Sequence, residues 1–459
     1  MTLSLNTVGT TIYEFFTKKK VEVTARQTKF VQRHSTLDGL TFLQASVFGF
    51  IDDPQANLDD LAGICADLGV EITVQGFDQR INQAAVAFLK AMLNQAVAQF
   101  KHTVALPVPL LHQFSAVNLL DSTSLSLPAG MIEEYPGCGG DGPEASLKIH
   151  LNFEFLYGNL SQMVLRPGRE PDQQFESYLD WVQPGSLNLK DLGYFCLDNL
   201  QTLAETKQAY YISRLLPGVG LTTATGQPFN LYPWLKKQPR QPLELAVGLG
   251  VEHHLPARLI AIPLPQAVAE RRRQRAKENA RRKGRTLTQE YLNSLDWLIF
   301  VTNVPASMLT MEQVALLYRV RWQIELVFKL WKSYAGLKRI AGLRRERVLY
   351  ELYAKMIGLL LTQFLLAPWR MPHGHLANRE LSLFKVRDIL QDFARELMRA
   401  LPVLANLMAV LTTILRRMER FGFKQKRKKQ PNLCHALALA STLYVLEIDL
   451  EQDIELPIL

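Results

Sequence analysis

Cysteine is scarce and scattered. The four present, Cys65, Cys138, Cys196 and Cys434, form no C-x-x-C pair, so neither a zinc ribbon nor a disulfide framework is indicated. A reducing, cytoplasmic setting fits that usage. The nine histidines lack ligand spacing, and the adjacent His253 and His254 read as loop residues. There is no apolar run of the ~20 residues that a membrane span needs. The longest, MIGLLLTQFLLAPW at 356–369, reads as a buried helix. The first twenty residues, MTLSLNTVGTTIYEFFTKKK, have no apolar core ahead of a cleavage site and do not read as a signal peptide. No internal repeat is visible. Acidic residues are outnumbered: 43 Asp and Glu against 52 Lys and Arg leave a formal net charge of +9. That balance favours an anionic partner, nucleic acid or a membrane surface, without choosing between them.

What is present is the composition of a soluble globular protein, 48% hydrophobic and 21% charged over 459 residues. That length suggests roughly two to four domains. Residues 1–105 read as helical. LTFLQASVFGF is an apolar helix candidate, Asn57 can cap LDDLAGICADLG, and Gly69 can end it. VQGFDQRINQAAVAFLKAMLNQAVAQF then reads as one further helix. Helix, glycine-containing turn, helix outlines a DNA-binding helix-turn-helix, which would set Gln75, Gln79 and Arg80 near the start of the second helix. An ordinary helical hairpin has the same pattern.

The texture changes near residue 106. VNLLDSTSLSLP reads as a strand ending at Asp121, and LKIHLNFEFLYG with NLSQMVLRPG as a hairpin about Gly158. PDQQFESYLDWV looks like a short helix, and SLNLKDLGYF a strand ending near Asp191. Together, 106–200 suggest an α/β sheet. Residues 201–295 read as an insertion with short apolar stretches and a charge run, RRRQRAKENARRKGR (271–285). WLIFVTNV resumes as a strand within 296–342, and 343–459 is mostly helical, with a second basic run, KQKRKK (424–429), and an acidic tail.

A long helix comes after the WLIFVTNV strand, from about Met311 to Tyr334. Thr310 and Gln313 form a T-x-x-Q capping box at its start. At about 100° per residue from Tyr318, Arg321, Glu325 and Lys332 fall within about 60° of it, opposite Leu316, Val320, Ile324, Val327 and Trp331. A surface helix would carry charges on such a face. This stripe also carries an aromatic ring, in a region with two strand-end aspartates.

YRVRWQIELVFKLWK, with Tyr318, Arg321, Glu325 and Lys332 in Y-(2)-R-(3)-E-(6)-K spacing, resembles the signature of the insertion-sequence-four family of bacterial DDE transposases. LLDSTSLSLP is similar to its first-aspartate strand and LKDLGYF to its second. HSTLDGLTFLQASVFGF and GFDQRINQAAVAFLKAML extend the resemblance to about residues 20–370. One departure is Leu192, where the family usually has Arg after the second aspartate; Asp198 and Asp180 are the alternatives to Asp191.

The resemblance implies an α/β fold: an RNase H-like catalytic core interrupted by a β-rich insertion, with helical N-terminal and C-terminal regions. It implies Asp121, Asp191 and Glu325 as catalytic and metal-binding residues. Hard divalent ions choose carboxylate oxygens, and two of them roughly 3.5–4 Å apart can activate a nucleophile and stabilise a leaving oxygen. Two Mg²⁺, with Mn²⁺ able to substitute, are therefore expected. Tyr318, Arg321 and Lys332 would grip the DNA backbone, Arg271, Arg272 and Arg273 would contact phosphates, and Trp297, Trp322 and Trp331 could stack on a flipped base. The expected partners are double-stranded DNA, as element ends and target, and a second copy in a synaptic homodimer. No membrane is implied, and the setting is a bacterial nucleoid. A catalytically inactive DNA-binding derivative and a metal-dependent nuclease of the same fold are the alternatives.

Overall fold

The computed structural model describes residues 5–424 apart from 34, 141, 283, 367–378 and 380, together with Leu437. The chain divides into two compact units. One comprises Met1–Pro107, Ser122–Glu170 and Gln323–Cys434, the other Val108–Asp121, Pro171–Trp322 and His435–Leu459.

The first unit opens with six helices: α1 (Leu5–Phe15), α2 (Lys18–Gln27), α3 (Gly39–Asp52), α4 (Leu58–Asp67), α5 (Val74–Arg80) and α6 (Gln83–Gln99). Their starts are chemically marked. Asp38 accepts the Thr41 amide at 2.8 Å. Asn57 and Asp60 form a reciprocal capping box on α4, and Gly69 ends that helix at φ +81°, a conformation that costs glycine little. The stretch read as one helix from Val74 is two. The Asn82 side chain accepts the Ala84 and Ala85 amides and starts a new helix, because an Asn at this position satisfies amides that would otherwise lack partners. Arg80 therefore ends α5 instead of opening a long recognition helix.

Strand β1 (Val117–Leu127) runs on past Asp121, so that aspartate lies within a strand and not at its end. β2 (Ala145–Glu154) and β3 (Asn159–Pro167) pair antiparallel about Gly158, which has φ +82°.

The second unit continues with β4 (Leu187–Lys190), α7 (Leu197–Gln201), β5 (Tyr210–Arg214), β6 (Leu221–Thr223), β7 (Pro228–Phe229), α8 (Leu231–Leu235), β8 (Leu243–Leu249), β9 (Leu255–Pro263), α9 (Gln266–Arg282), α10 (Gln289–Ser294), β10 (Trp297–Thr302) and α11 (Met311–Val320). Its strands run in the order β1-β4-β5-β10-β9-β8-β6-β7. β1, β4 and β5 are mutually parallel, and β10 pairs antiparallel with both β5 and β9. A short continuous apolar run is consistent with a strand covered on both faces; all six residues of WLIFVT in β10, which lies between β5 and β9, are buried. One sequence expectation changes here. PDQQFESYLDWV forms two 3₁₀ turns, Asp172–Gln174 and Glu176–Trp181. Most of the 271–285 charge run forms α9, whose small apolar residues Val268, Ala269, Ala276 and Ala280 are buried.

The first unit resumes in α12 (Trp322–Lys329), then α13 (Arg345–Leu366), α14 (Leu383–Asp392), α15 (Ala394–Ala400) and α16 (Leu404–Phe421). α13 starts well before the apolar run recognised in sequence and packs against α3 and α6. By length and composition it could cross a bilayer, yet 94% of its apolar window is buried inside the protein. Its buried Tyr350 hydroxyl is matched, lying 2.8 Å from the Ser46 hydroxyl, as buried hydroxyls require. The 424–429 basic run beyond Lys424, Cys434 and the acidic tail lie outside the described residues.

Candidate active site

The parallel register pairs Leu120 of β1 with Lys190 of β4. Each precedes an aspartate, so Asp121, within β1, and Asp191, directly after β4, stand at neighbouring positions on the sheet. Asp191 caps a 3₁₀ turn, Leu192–Tyr194, and accepts the Gly193 amide at 3.4 Å. A β-carbon on Gly193 would sit 3.4 Å from an Asp172 carboxylate oxygen and 3.8 Å from one of Asp191. Leu192, the departure from the transposase signature, packs on the apolar core of this unit.

Arg321 joins the two aspartates. Its Nη1 is 3.5 Å from Asp121 Oδ2 and 3.7 Å from Asp191 Oδ1. The guanidinium side chain is 4% exposed, the carboxylates 15% and 21%. Burial removes water from this cation and makes its two anionic neighbours matter. Tyr318, one turn earlier, is also buried. Its hydroxyl donates to the Lys190 carbonyl at 3.4 Å, its ring packs 5.1 Å from Phe300 of β10, and the Arg321 guanidinium lies 5.8 Å from it. Tyr318 and Arg321 were expected on a DNA-facing stripe; in the structure both are turned into the protein.

That stripe assumed one regular helix. The capping box at Thr310 and Gln313 forms on both sides, but the helix breaks at Arg321 between α11 and α12 and ends in a π-helical turn, Leu330–Tyr334. A π-turn adds a residue to the helical cycle and shifts the angular phase of the residues beyond it, and such turns are frequent at functional sites. Glu325 is half-buried on α12 and Lys332 half-buried in the π-turn; both belong to the first unit. Among the described residues, no group of three or more His, Cys, Asp and Glu side chains stands close enough to hold a metal ion. The part of the expected triad brought together within one unit is Asp121 with Asp191.

The other expected residues separate. On α9, Arg271 is exposed, whereas Arg272 donates to the Trp297 carbonyl at 3.4 Å and Arg273 pairs with Asp296. Arg80 donates to the Phe30 carbonyl at 3.1 Å. Trp297 and Trp331 are buried, and Trp322 is half-buried. Of the alternatives to Asp191, Asp180 lies in the Glu176–Trp181 turn, and Asp198, in the first turn of α7, holds His253 at 2.8 Å.

Sequence reasoning missed Lys190. Its ammonium is buried, donates to the Tyr178 hydroxyl at 2.6 Å and lies 4.5 Å from that ring's centre. Burial pulls it down from the ordinary lysine range to about 7. A lysine inside a strand motif reads as an exposed alternate position, and only the two-sided burial of β4 reveals otherwise.

Residues 112–361 match the family model described as the transposase DDE domain. The chain is 28% identical to the transposase for insertion sequence element IS231F of Bacillus thuringiensis subsp. israelensis, over 91% of each chain. It is 26% identical to the transposase for insertion sequence element IS1151 of Clostridium perfringens, over 96% of this chain and 97% of that one. A putative transposase, InsL, for IS186A of Escherichia coli K12 is 25% identical over 55% of this chain and 66% of its own. The match spans both aspartates, the arginine that bridges them and the Glu325 helix: the chain belongs to the DDE-domain transposases.

Proposed function

We propose that this enzyme binds the terminal inverted repeats of its own element and carries out cut-and-paste transposition, cleaving DNA and joining the freed ends to a target. The observation that carries the reading is the pair of aspartates at neighbouring positions on the sheet held by one buried arginine, ahead of a helix bearing Glu325. The parallel β1-β4-β5 run supports an RNase H-like core, with 201–295 as the insertion between its two parts, 106–200 and 296–342. The helical 1–105 and 343–459 regions would serve DNA and the second subunit of a synaptic dimer.

The donor set fits divalent metal. Asp121 and Asp191 offer hard carboxylate oxygens already arranged about a cationic group, and Mg²⁺ and Mn²⁺ select such oxygens. Asp121, Asp191 and Glu325 would hold two ions, which when bound would supply an activated water or 3′-hydroxyl and a stabilised leaving oxygen. The rest falls to the chain. Tyr318 fixes the backbone carbonyl just before Asp191. Arg321 keeps two carboxylates together that would otherwise repel, and Lys332 with Arg271 would meet backbone phosphates.

Glu325→Gln tests the reading. With Mg²⁺ or Mn²⁺, the wild-type protein should cut duplexes carrying the inverted repeats that flank its coding region, and pre-cut ends should join to target DNA. The variant should bind those ends and leave them intact. An uncompromised variant would remove Glu325 from the site; cleavage without joining would mark a nuclease.

A further inference from the structure

The first unit contains an open cleft of about 850 Å³ lined by Thr28, Lys29, Gln32, Arg33 and Arg80 on one side and by the start of α6 on the other. Its charge is one-signed: three cations and no carboxylate line it. Among the described residues, none of the three forms an ion pair. Arg80 is fixed, its guanidinium 4.4 Å from the Phe30 ring centre and bonded to the Phe30 carbonyl. Phe30 is itself anchored, 4.6 Å from Phe42 and stacked 5.1 Å from Phe88. Lys29 and Arg33 are exposed.

Lys29 adds a second, independent oddity. Its φ is +60°, at the end of α2 where its amide donates to the Arg26 carbonyl at 3.0 Å and Val31 donates to the Ala25 carbonyl at 3.1 Å. Glycine suits that position, and a lysine there is strained. Strain of this kind clusters where a side chain serves binding.

We propose that this cleft grips the phosphate backbone of duplex DNA, with Lys29 and Arg33 reaching the phosphates and Arg80 as a fixed third cation. The inference rests on the chain acting on DNA. It differs from a helix-turn-helix reading: the contact is to backbone and carries no sequence information. A one-signed and open cleft suits a polyanion, whereas small-molecule sites mostly enclose their ligand.

The test is the salt dependence of binding by the full chain to a fluorescent duplex of about 30 base pairs and arbitrary sequence, since each phosphate contact adds about 0.9 to the slope of log affinity against log salt. Lys29→Gly with Arg33→Gln should lower that slope by about 2 and weaken binding about sixtyfold at ~0.1 M salt. Its melting temperature should be unchanged or higher, because glycine relieves the strain at position 29. Arg33→Gln alone, at an exposed side chain, should lower the slope by about 1. Lys236→Gln with Lys237→Gln, which removes the same charge from exposed positions outside the cleft, should keep the wild-type slope. Wild-type slopes in both cleft variants would overturn the inference and leave the transposase reading standing. An equal drop in the control pair would do the same, reducing the effect to net charge. A wild-type protein with no salt-linked duplex binding would overturn both.

Discussion

Arg321→Gln separates the electrostatic role of the bridging arginine from its packing. One guanidinium nitrogen reaches both carboxylates, at 3.5 and 3.7 Å, so those two oxygens lie within about 7 Å of each other. At an effective dielectric near 20 and a separation of about 5–7 Å, two unit charges repel by about 2–3 kcal/mol. Without the guanidinium, that repulsion stands uncompensated and should lower the stability of the folded chain by about 2–3 kcal/mol while both carboxylates are charged. Acid relieves the loss, because a protonated carboxyl no longer repels its neighbour. The variant should melt well below wild type at pH 7.5, and the gap should narrow as pH falls toward 4.5. Calorimetry at both pH values reads this directly. Added Mg²⁺ should restore more of the variant's melting temperature than of wild type's, since the guanidinium no longer competes. A deficit that is the same at both pH values would show a packing defect and refute the bridge.

Buried lysines give two further expected outcomes. Lys190 is held near 7 by burial, so the unfolded chain binds its proton more readily than the folded one from about pH 7 up to 10. Its penalty is complete below pH 7 and fades as pH rises. Lys190→Met should thus stabilise the protein by about 3 kcal/mol at pH 6–7, after loss of the Tyr178 contact, with the gain vanishing toward pH 10; a pH-independent gain in urea melts would sink the idea. Lys355 and Glu351 form a buried pair at 2.6 Å, with Lys355 also donating to the Gly336 and Arg339 carbonyls and Glu351 accepting the Ala341 amide. Lys355→Met leaves that carboxylate buried without its cation and should cost about 3–5 kcal/mol, while Glu351→Gln with Lys355→Met should cost clearly less. Equal losses in the single and double variants would show that the charge pair does not couple.

Local chemistry was legible in the amino-acid sequence wherever neighbours along the chain decide the outcome. The caps at Asn57 and Thr310, the glycine at position 69, the hairpin about Gly158 and the WLIFVT strand all depend on residues within one turn, one strand or one hairpin, and the spacing of Tyr318, Arg321, Glu325 and Lys332 is a matter of sequence alone. Features set by long-range contacts were not legible. A stripe drawn at 100° per residue placed Tyr318 and Arg321 outward, because helical periodicity gives the side of the helix a residue occupies and not what packs against that side; the π-turn at 330–334 shifts the phase only from there on. Tertiary packing turned them inward, where a carbonyl and two carboxylates make burial tolerable. The pairing of Leu120 with Lys190, which sets two aspartates side by side, likewise belongs to the sheet. Strand register is specified by partners some seventy residues apart, and neither strand carries it alone.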